Sequence, residues 1–205
     1  MTITELTSPE IEQIWISVPS GDDKILAGCL YRPPLSTTTT NNIINESIRA
    51  AYSSILRNEH TGLLIAGDFN FPKITWDPYH IPHFRPNINL SYSPEESFIH
   101  TLNDCYLTQN VFQPTFQNAA GSTTNTLDLL ITESHHRIYC LEHLPPLGKI
   151  DHAHLVLSWS YAIAGADPRT PPPRPQNSRL NLAYARGDYD KISEHMASLD
   201  RKSVV

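Results

Sequence analysis

The chain has 205 residues, 40% of them hydrophobic, which is enough to bury the core of one domain. Its net charge of −6 excludes a global positive field for attracting nucleic acid, so contact with a polyanion needs a local patch or a bound cation. No run of about 18 apolar residues occurs, and the polar N-terminus lacks a signal-peptide pattern. Both absences predict an intracellular chain, nuclear or cytoplasmic, with no membrane partner.

The cysteines predict a reducing environment. Cys29, Cys105 and Cys140 are odd in number and show no CxxC spacing, so they do not form a disulfide framework or a metal motif. Two of them lie inside apolar runs. We therefore expect buried free thiols.

The N-terminal part of the chain predicts the order strand, strand, helix, strand. Gln13–Val18 and Lys24–Tyr31 alternate as strands on either side of a short turn, which predicts a hairpin. A helix follows, capped by Asn41 or Asn42 and carrying one apolar stripe. Gly62–Ala66 is then a short apolar run that suits a strand buried on both faces.

The central part predicts one more helix and three more strands. Ser93 opens the helix as its cap, with Pro94 at the first position and Glu96 completing a capping box. The segment before it is rich in proline and aromatic residues and predicts irregular structure. The further strands are Thr126–Thr132, Arg137–Leu141 and Ala153–Trp159.

The composition changes after Ser160, which predicts a domain boundary near residue 163. Residues 164–180 contain the run PPPRP and predict an extended Pro-rich linker. Residues 181–205 contain a short amphipathic helix.

The first chemical motif follows the Gly62–Ala66 strand. Asp68 and Asn70 come at its carboxyl end, and the alternation of a strand sends both to one side and Phe69 to the other. A carboxylate and an amide at a rigid strand end suit a site for a phosphate, a metal or a nucleophilic water. The plainer alternative is an Asp/Asn turn after a strand.

The second and third motifs are Asp128 and the pair Asp151-His152. Asp128 interrupts an apolar strand, where a carboxylate is costly unless it is paired. Its pairing with His152 would fix the imidazole tautomer and raise its basicity. The alternative is that Asp128 binds local backbone groups. No role is assigned to the other nine histidines: His60, His80, His83, His100, His135, His136, His143, His154 and His195.

The order of these motifs resembles the endonuclease/exonuclease/phosphatase superfamily, and specifically the endonuclease domain of LINE-type retrotransposon polyproteins. The resemblance covers about residues 11–160. The matching stretches are YRPP (31–34), GDFN (67–70), Trp76, LTQNVFQPT (107–115), LDL with a following Thr (127–132) and GKIDH (148–152).

The resemblance implies a fold and a reaction. The fold is α/β (α+β), a partial four-layered sandwich of mixed β-sheets with helices outside. The reaction is hydrolysis of a phosphodiester with Mg²⁺ (or Mn²⁺), nicking DNA through its phosphodiester backbone. Oxygen ligands without a Cys/His cluster fit these ions better than zinc.

The resemblance also implies roles for single residues. Asp68 would orient or activate the attacking water, and Asn70 would bind the phosphate. Asp151 would help to hold the metal, and His152 would polarise the phosphate or act as base, with Asp128 orienting it.

Two further residues come from the YRPP motif. Tyr31 matches a position where relatives place a Tyr near the scissile phosphate. Arg32 would add positive charge there and bind substrate, and the alternative is a surface arginine beside a turn.

Two departures from the family predict weak or lost activity. Relatives carry an N-terminal half that supplies an Asn and a metal-binding Glu, and Ile3-Thr4-Glu5 lies too near Trp15 to take that role. Ile150 stands where the family has Ser. The alternatives to a nicking enzyme are therefore an inactive remnant or binding module, and a phosphatase-type member of the superfamily. The segment after the linker resembles the one that leads towards reverse transcriptase.

Overall fold

The computed structural model describes residue 6 and residues 8–85, 92–118, 120–146 and 153–163. The predicted linker over 164–180 and the predicted C-terminal helix lie outside these residues. So do residues 3–5 and Ile150, Asp151 and His152.

Two helices and twelve strands form in the described residues. The helices are α1 (Thr38–Leu56) and α2 (Pro94–Asp104). The strands are β1 (Glu12–Ser20), β2 (Asp23–Tyr31), β3 (Gly62–Asp68), β4 (Thr75–Trp76), β5 (Pro82–His83), β6 (Thr108–Gln109), β7 (Phe116–Gln117), β8 (Thr123–Asn125), β9 (Asp128–Thr132), β10 (Ile138–Leu144), β11 (Ala153–His154) and β12 (Val156–Tyr161).

The main sheet is mixed. Its order is β1-β2-β3-β9-β6, in which only β2 and β3 run parallel. A parallel pair needs a crossover connection, and α1 supplies it between β2 and β3. Three small sheets, β10-β12, β11-β7-β8 and β4-β5, complete the described strands. The predicted α/β class with mixed sheets is confirmed.

One face of the main sheet shares a core with both helices. The apolar stripe of α1 includes Ile44 and Ile48, which join Trp15 and Ile65 of the sheet in a single buried cluster. Phe98 of α2 enters the same cluster. Burying residues of this size stabilises the fold by roughly 1.5–3 kcal/mol each. Neither helix of the described residues is both long and apolar enough to cross a membrane.

The opposite face is uncovered at the β1-β2 hairpin. Ile14, Ile16 and Val18 of β1 are 52%, 39% and 38% exposed. Cys29 lies opposite Ile14 across the hairpin and is exposed as well.

This open face corrects the prediction for the cysteines. All three thiols are free, but only Cys105 is buried, whereas Cys29 and Cys140 are exposed. An apolar run therefore does not guarantee a buried thiol here, because none of the residues that the structure describes forms a layer over the face of β2 that carries Cys29.

The helix caps confirm one prediction and correct another. Ser93 and Glu96 form the predicted capping box of α2, with Pro94 at its first turn. The cap of α1 is Thr37, whose hydroxyl accepts from the backbone N–H of Thr40 at 3.1 Å. The predicted cap Asn41 lies inside the helix instead, where its side chain is buried and bonded elsewhere.

Arg137 ties together the end of the sheet that is remote from the carboxyl end of β3. Its guanidinium donates to the carboxylates of Asp23 (3.0 Å) and Glu133 (2.6 Å). It also donates to the carbonyl oxygens of Thr61 (3.0 Å) and Ala162 (2.8 Å). These partners come from four separate parts of the chain, so one side chain joins the main sheet to the end of β12.

Candidate functional site

Three adjacent strands place polar residues in one row. Tyr31 of β2 lies opposite Asp68 of β3, and Asp68 lies opposite Asp128 of β9. Residues directly opposite each other on neighbouring strands point to the same face. The two carboxylates therefore lie side by side at the end of the sheet, although 60 residues separate them in the chain.

The structure corrects the place of Asp128. The sequence predicts this carboxylate inside a strand, but it is the first residue of β9 and is partly exposed. A position at the strand tip lowers the cost of keeping the carboxylate charged. It also puts the residue at the same edge as Asp68.

Asn70 folds back onto Asp68. Its backbone N–H and its side-chain Nδ2 donate to the two carboxylate oxygens of Asp68 at 3.0 and 2.9 Å. Its Nδ2 also donates to the carbonyl oxygen of Arg32 at 3.0 Å. Both amide hydrogens are thus in use, so Asn70 reaches a phosphate only when one of these bonds is released.

Among the residues that the structure describes, the imidazole beside the two carboxylates is that of His154. Its Nδ1 lies 2.7 Å from Oδ2 of Asp128, and its Nε2 lies 3.8 Å from Oδ2 of Asp68. From the sequence, His152 was predicted to pair with Asp128, and His154 was given no role. The signal that could have found it is the spacing His152-Ala-His154, since residues two apart on a strand point to the same side.

Thr115 places Asp128 and His154 together. Its hydroxyl is fully buried and accepts from the backbone N–H groups of Leu127 and Asp128, each at 3.0 Å. Its carbonyl oxygen accepts from the N–H of Leu155 at 2.7 Å. The segment 107–115 singled out by the resemblance therefore joins the start of β9 to the residue after β11.

Burial and a like charge set the titration of Asp68. Burial first, and then the neighbouring carboxylate of Asp128, raise the pKa of Asp68 to about 6. His154 and the two hydrogen bonds from Asn70 act in the opposite direction. Two carboxylates this close favour a cation between them.

The donor set fits a hard divalent ion. One ligand atom from each of Asp68, Asp128 and His154 lies within 4.8 Å of the others. Carboxylate oxygens are the ligands that Mg²⁺ prefers, while an imidazole nitrogen is tolerated better by Mn²⁺. The two carboxylates therefore fit either ion.

The remaining predicted residues differ in their surroundings. Tyr31 is half-buried in the row beside Asp68. Arg32 is 6% exposed, so it is not a surface arginine, and its guanidinium faces protein groups. Asp151 and His152 lie outside the described residues, and their roles stay predictions.

A protein-family profile and a solved structure are similar to this chain. The profile of the endonuclease-reverse transcriptase family matches residues 25–156, more than half of the chain. Among solved structures, the endonuclease domain of TRAS1, a telomere-specific non-LTR retrotransposon, is similar with a TM-score of 0.54 and 14% identity. That match covers 80% of this chain and 68% of the other. No curated protein sequence matches the chain.

Two phosphatases are more distant in structure. The 3′ phosphatase NExo from Neisseria, solved with a product DNA hairpin, has a TM-score of 0.44 and 14% identity, over 73% of this chain and 65% of that one. A mannosyl-6-phosphatase from Bacteroides thetaiotaomicron has a TM-score of 0.44 and 11% identity, over 73% of this chain and 57% of that one. The chain thus spans less than two thirds of the length of either phosphatase.

The mixed α/β fold and its motifs define the class: this is an endonuclease/exonuclease/phosphatase protein. Within that superfamily, the chain belongs to the endonuclease-reverse transcriptase family. The resemblance drawn from the motifs is confirmed.

Proposed function

We propose that the chain is a Mg²⁺- or Mn²⁺-dependent phosphodiester hydrolase that nicks DNA, the endonuclease part of a LINE-type retrotransposon protein. The observation that supports this most directly is the cluster of Asp68, Asp128 and His154 within 4.8 Å, at adjoining strand ends of a chain in this family. Cleaving a phosphodiester needs a nucleophilic water and neutralisation of charge on the phosphoryl oxygens. A bound divalent ion supplies that neutralisation.

The protein residues handle the proton and the orientation. Asp128 accepts a hydrogen bond from Nδ1 of His154, which fixes the tautomer with Nε2 free as the proton acceptor. Nε2 faces Asp68, so a water between them lies within reach of a base and of a metal ligand. With a pKa of about 6, Asp68 is mostly ionised at neutral pH and can serve as that ligand.

A plasmid-nicking assay in Mn²⁺ tests this function and the choice of histidine. We expect His154→Ala to lower the nicking rate by about 10²-fold or more, and His152→Ala tests the role that the family resemblance implies for that residue. His100→Ala is the matched control, because this exposed histidine of α2 contacts only the Tyr92 ring among described residues. Equal nicking by wild type and His154→Ala would reject the site, and loss in His152→Ala alone would restore the first assignment.

The net charge favours a second candidate substrate. A charge of −6 does not attract DNA, so a small phosphate monoester, as for a phosphatase-type member, is the alternative. Hydrolysis of p-nitrophenyl phosphate without plasmid nicking would support it. An inactive remnant would show neither activity, and titration calorimetry with Mn²⁺ would then report whether the three-residue cluster still binds metal.

A further inference from the structure

We propose that Arg32 is a positioning residue: it fixes the backbone of Asn70, and Asn70 in turn holds the carboxylate of Asp68. This inference rests on the proposed function, since it concerns the same site. It also replaces the substrate-binding role that the sequence suggested for Arg32.

The guanidinium of Arg32 is buried and engaged by protein acceptors. Its Nε donates to Oδ1 of Asn41 at 2.7 Å, and its Nη1 donates to the carbonyl oxygen of Asn70 at 2.7 Å. Its central carbon lies 4.0 Å from the centre of the Phe71 ring, so the ring stabilises the positive charge by a cation–π interaction. Two of the three guanidinium nitrogens, Nε and Nη1, are thus engaged by protein acceptors on α1 and on the loop after β3.

The backbone of Arg32 holds the same loop. Its N–H donates to the carbonyl oxygen of Asp68 at 2.8 Å, and its carbonyl oxygen accepts from Nδ2 of Asn70 at 3.0 Å. Arg32 therefore bonds Asp68 through its main chain, and Asn70 through both its main chain and its side chain.

Asn70 has a left-handed backbone, a conformation that asparagine adopts more readily than most non-glycine residues. Its φ is +47°. The bond from Nη1 of Arg32 to the Asn70 carbonyl favours that conformation. In it, Asn70 places two donors against the carboxylate of Asp68.

An arginine is required because the acceptors are spread out. Asn41 lies in α1, and Asn70 follows β3, so only a planar group with several fixed donors bonds both. Burial lowers the pKa of Arg32, and the charges of Glu95 and Asp68 raise it. The guanidinium remains charged, which suits its place behind a carboxylate.

The test compares Arg32→Met and Arg32→Lys with Arg137→Met. Arg137 is a matched control, because it too is a partly buried arginine with several hydrogen bonds, but at the other end of the sheet. We expect Arg32→Met to weaken Mn²⁺ binding at least tenfold and to lower kcat for nicking by about 10²-fold, with a smaller change in KM. Arg32→Lys should recover part of both, and Arg137→Met should change neither by more than twofold.

A direct readout does not depend on activity. In ¹⁵N NMR spectra, the side-chain amide of Asn70 should exchange slowly with solvent in the wild type, because both its hydrogens are bonded. That protection should be lost in Arg32→Met and kept in Arg137→Met. Should Arg32→Met fail to fold, Asn41→Ala removes one acceptor of the guanidinium and is expected to give a milder form of the same changes.

The outcomes separate the two proposals. Equal Mn²⁺ affinity, kcat and Asn70 protection in the wild type and Arg32→Met would overturn the positioning role, as would equal losses in Arg137→Met. A wild type that neither binds Mn²⁺ nor nicks DNA would instead reject the proposed function. The Asn70 amide would then still decide whether Arg32 holds the loop.

Discussion

The titration of Asp68 makes the free energy of unfolding depend on pH. Its folded-state pKa of about 6 lies above the ordinary value of 3.8, so the folded chain binds this proton more tightly than the unfolded chain does. The contribution of Asp68 to stability is therefore greatest below pH 4 and is lost as the pH rises through 6.

Asp68→Asn removes this dependence. When the pH rises from 4.5 to 7.5, we expect the unfolding free energy of the variant to increase relative to that of the wild type. The expected increase is on the order of 2 kcal/mol. Urea unfolding of both proteins at the two pH values measures it, and the difference between them cancels the titrating groups that do not interact with Asp68. A difference that stays constant with pH would show that burial and Asp128 do not act on Asp68 as described.

At the residue scale the sequence singled out Asp68 and Asp128, which the structure places side by side, and it gave no role to His154, the imidazole beside them among the described residues. Asp68 and Asp128 interrupt or end apolar strands, and that pattern is visible locally. The choice between His152 and His154 depends on the register of β11 against β7, where His154 lies opposite Phe116. The burial of Arg32 was also invisible, because its acceptor Asn70 lies 38 residues away.

At the scale of elements, Thr115 connects the parts that carry the site. Its hydroxyl is the acceptor for two backbone N–H groups at the entrance of β9, and the residue is fully buried. Thr115→Val keeps the shape and removes the acceptor, which leaves two N–H groups without a partner.

We expect Thr115→Val to lower the unfolding free energy by about 2–6 kcal/mol, from roughly 1–3 kcal/mol for each of the two unsatisfied groups. Thr115→Ser keeps the hydroxyl and is the control, with a loss of about 1 kcal/mol for the missing methyl group. Chemical denaturation measures both variants. Similar losses in the two would mean that packing, and not the hydroxyl, holds β9 in place.

Local patterns predicted most elements and missed those made by distant contacts. Residues that are close together in the sequence determine the hairpin, the α1 crossover and the capping box of α2. The cap of α1 was placed wrongly because Asn41 has the right side chain for a cap but is bonded by Arg32 instead. The two-residue strands β4 to β7 depend on pairing with partners that a periodicity cannot show.

At the scale of the whole molecule, Arg137 is the principal polar connection between distant segments. Its ion pair with Asp23 is almost fully buried on the aspartate side, at 2% exposure against 17% for the arginine side chain. Removing Arg137 takes a charged donor from this buried carboxylate, which also accepts from the hydroxyl of Thr61 at 2.7 Å.

We expect Arg137→Met to lower the unfolding free energy by about 3 kcal/mol. Differential scanning calorimetry measures the fall in Tm, and Arg57→Met is the control, because that arginine pairs with Glu59 on the surface. A surface pair contributes about 0–1 kcal/mol. Equal effects of the two substitutions would contradict a role for Arg137 in holding the sheet ends together.

The reach of Arg137 to the carbonyl of Ala162 bears on how the domain is trimmed for expression. A shortened chain that ends within β12 keeps Asp68, Asp128 and His154. It lacks the carbonyl of Ala162 and the Tyr161 ring beside the guanidinium. Such a chain would keep all the sequence motifs, but the contact of Arg137 with the β1-β2 hairpin would be weaker. The useful C-terminal limit for recombinant work therefore lies beyond residue 162, past the last motif that a sequence comparison would mark.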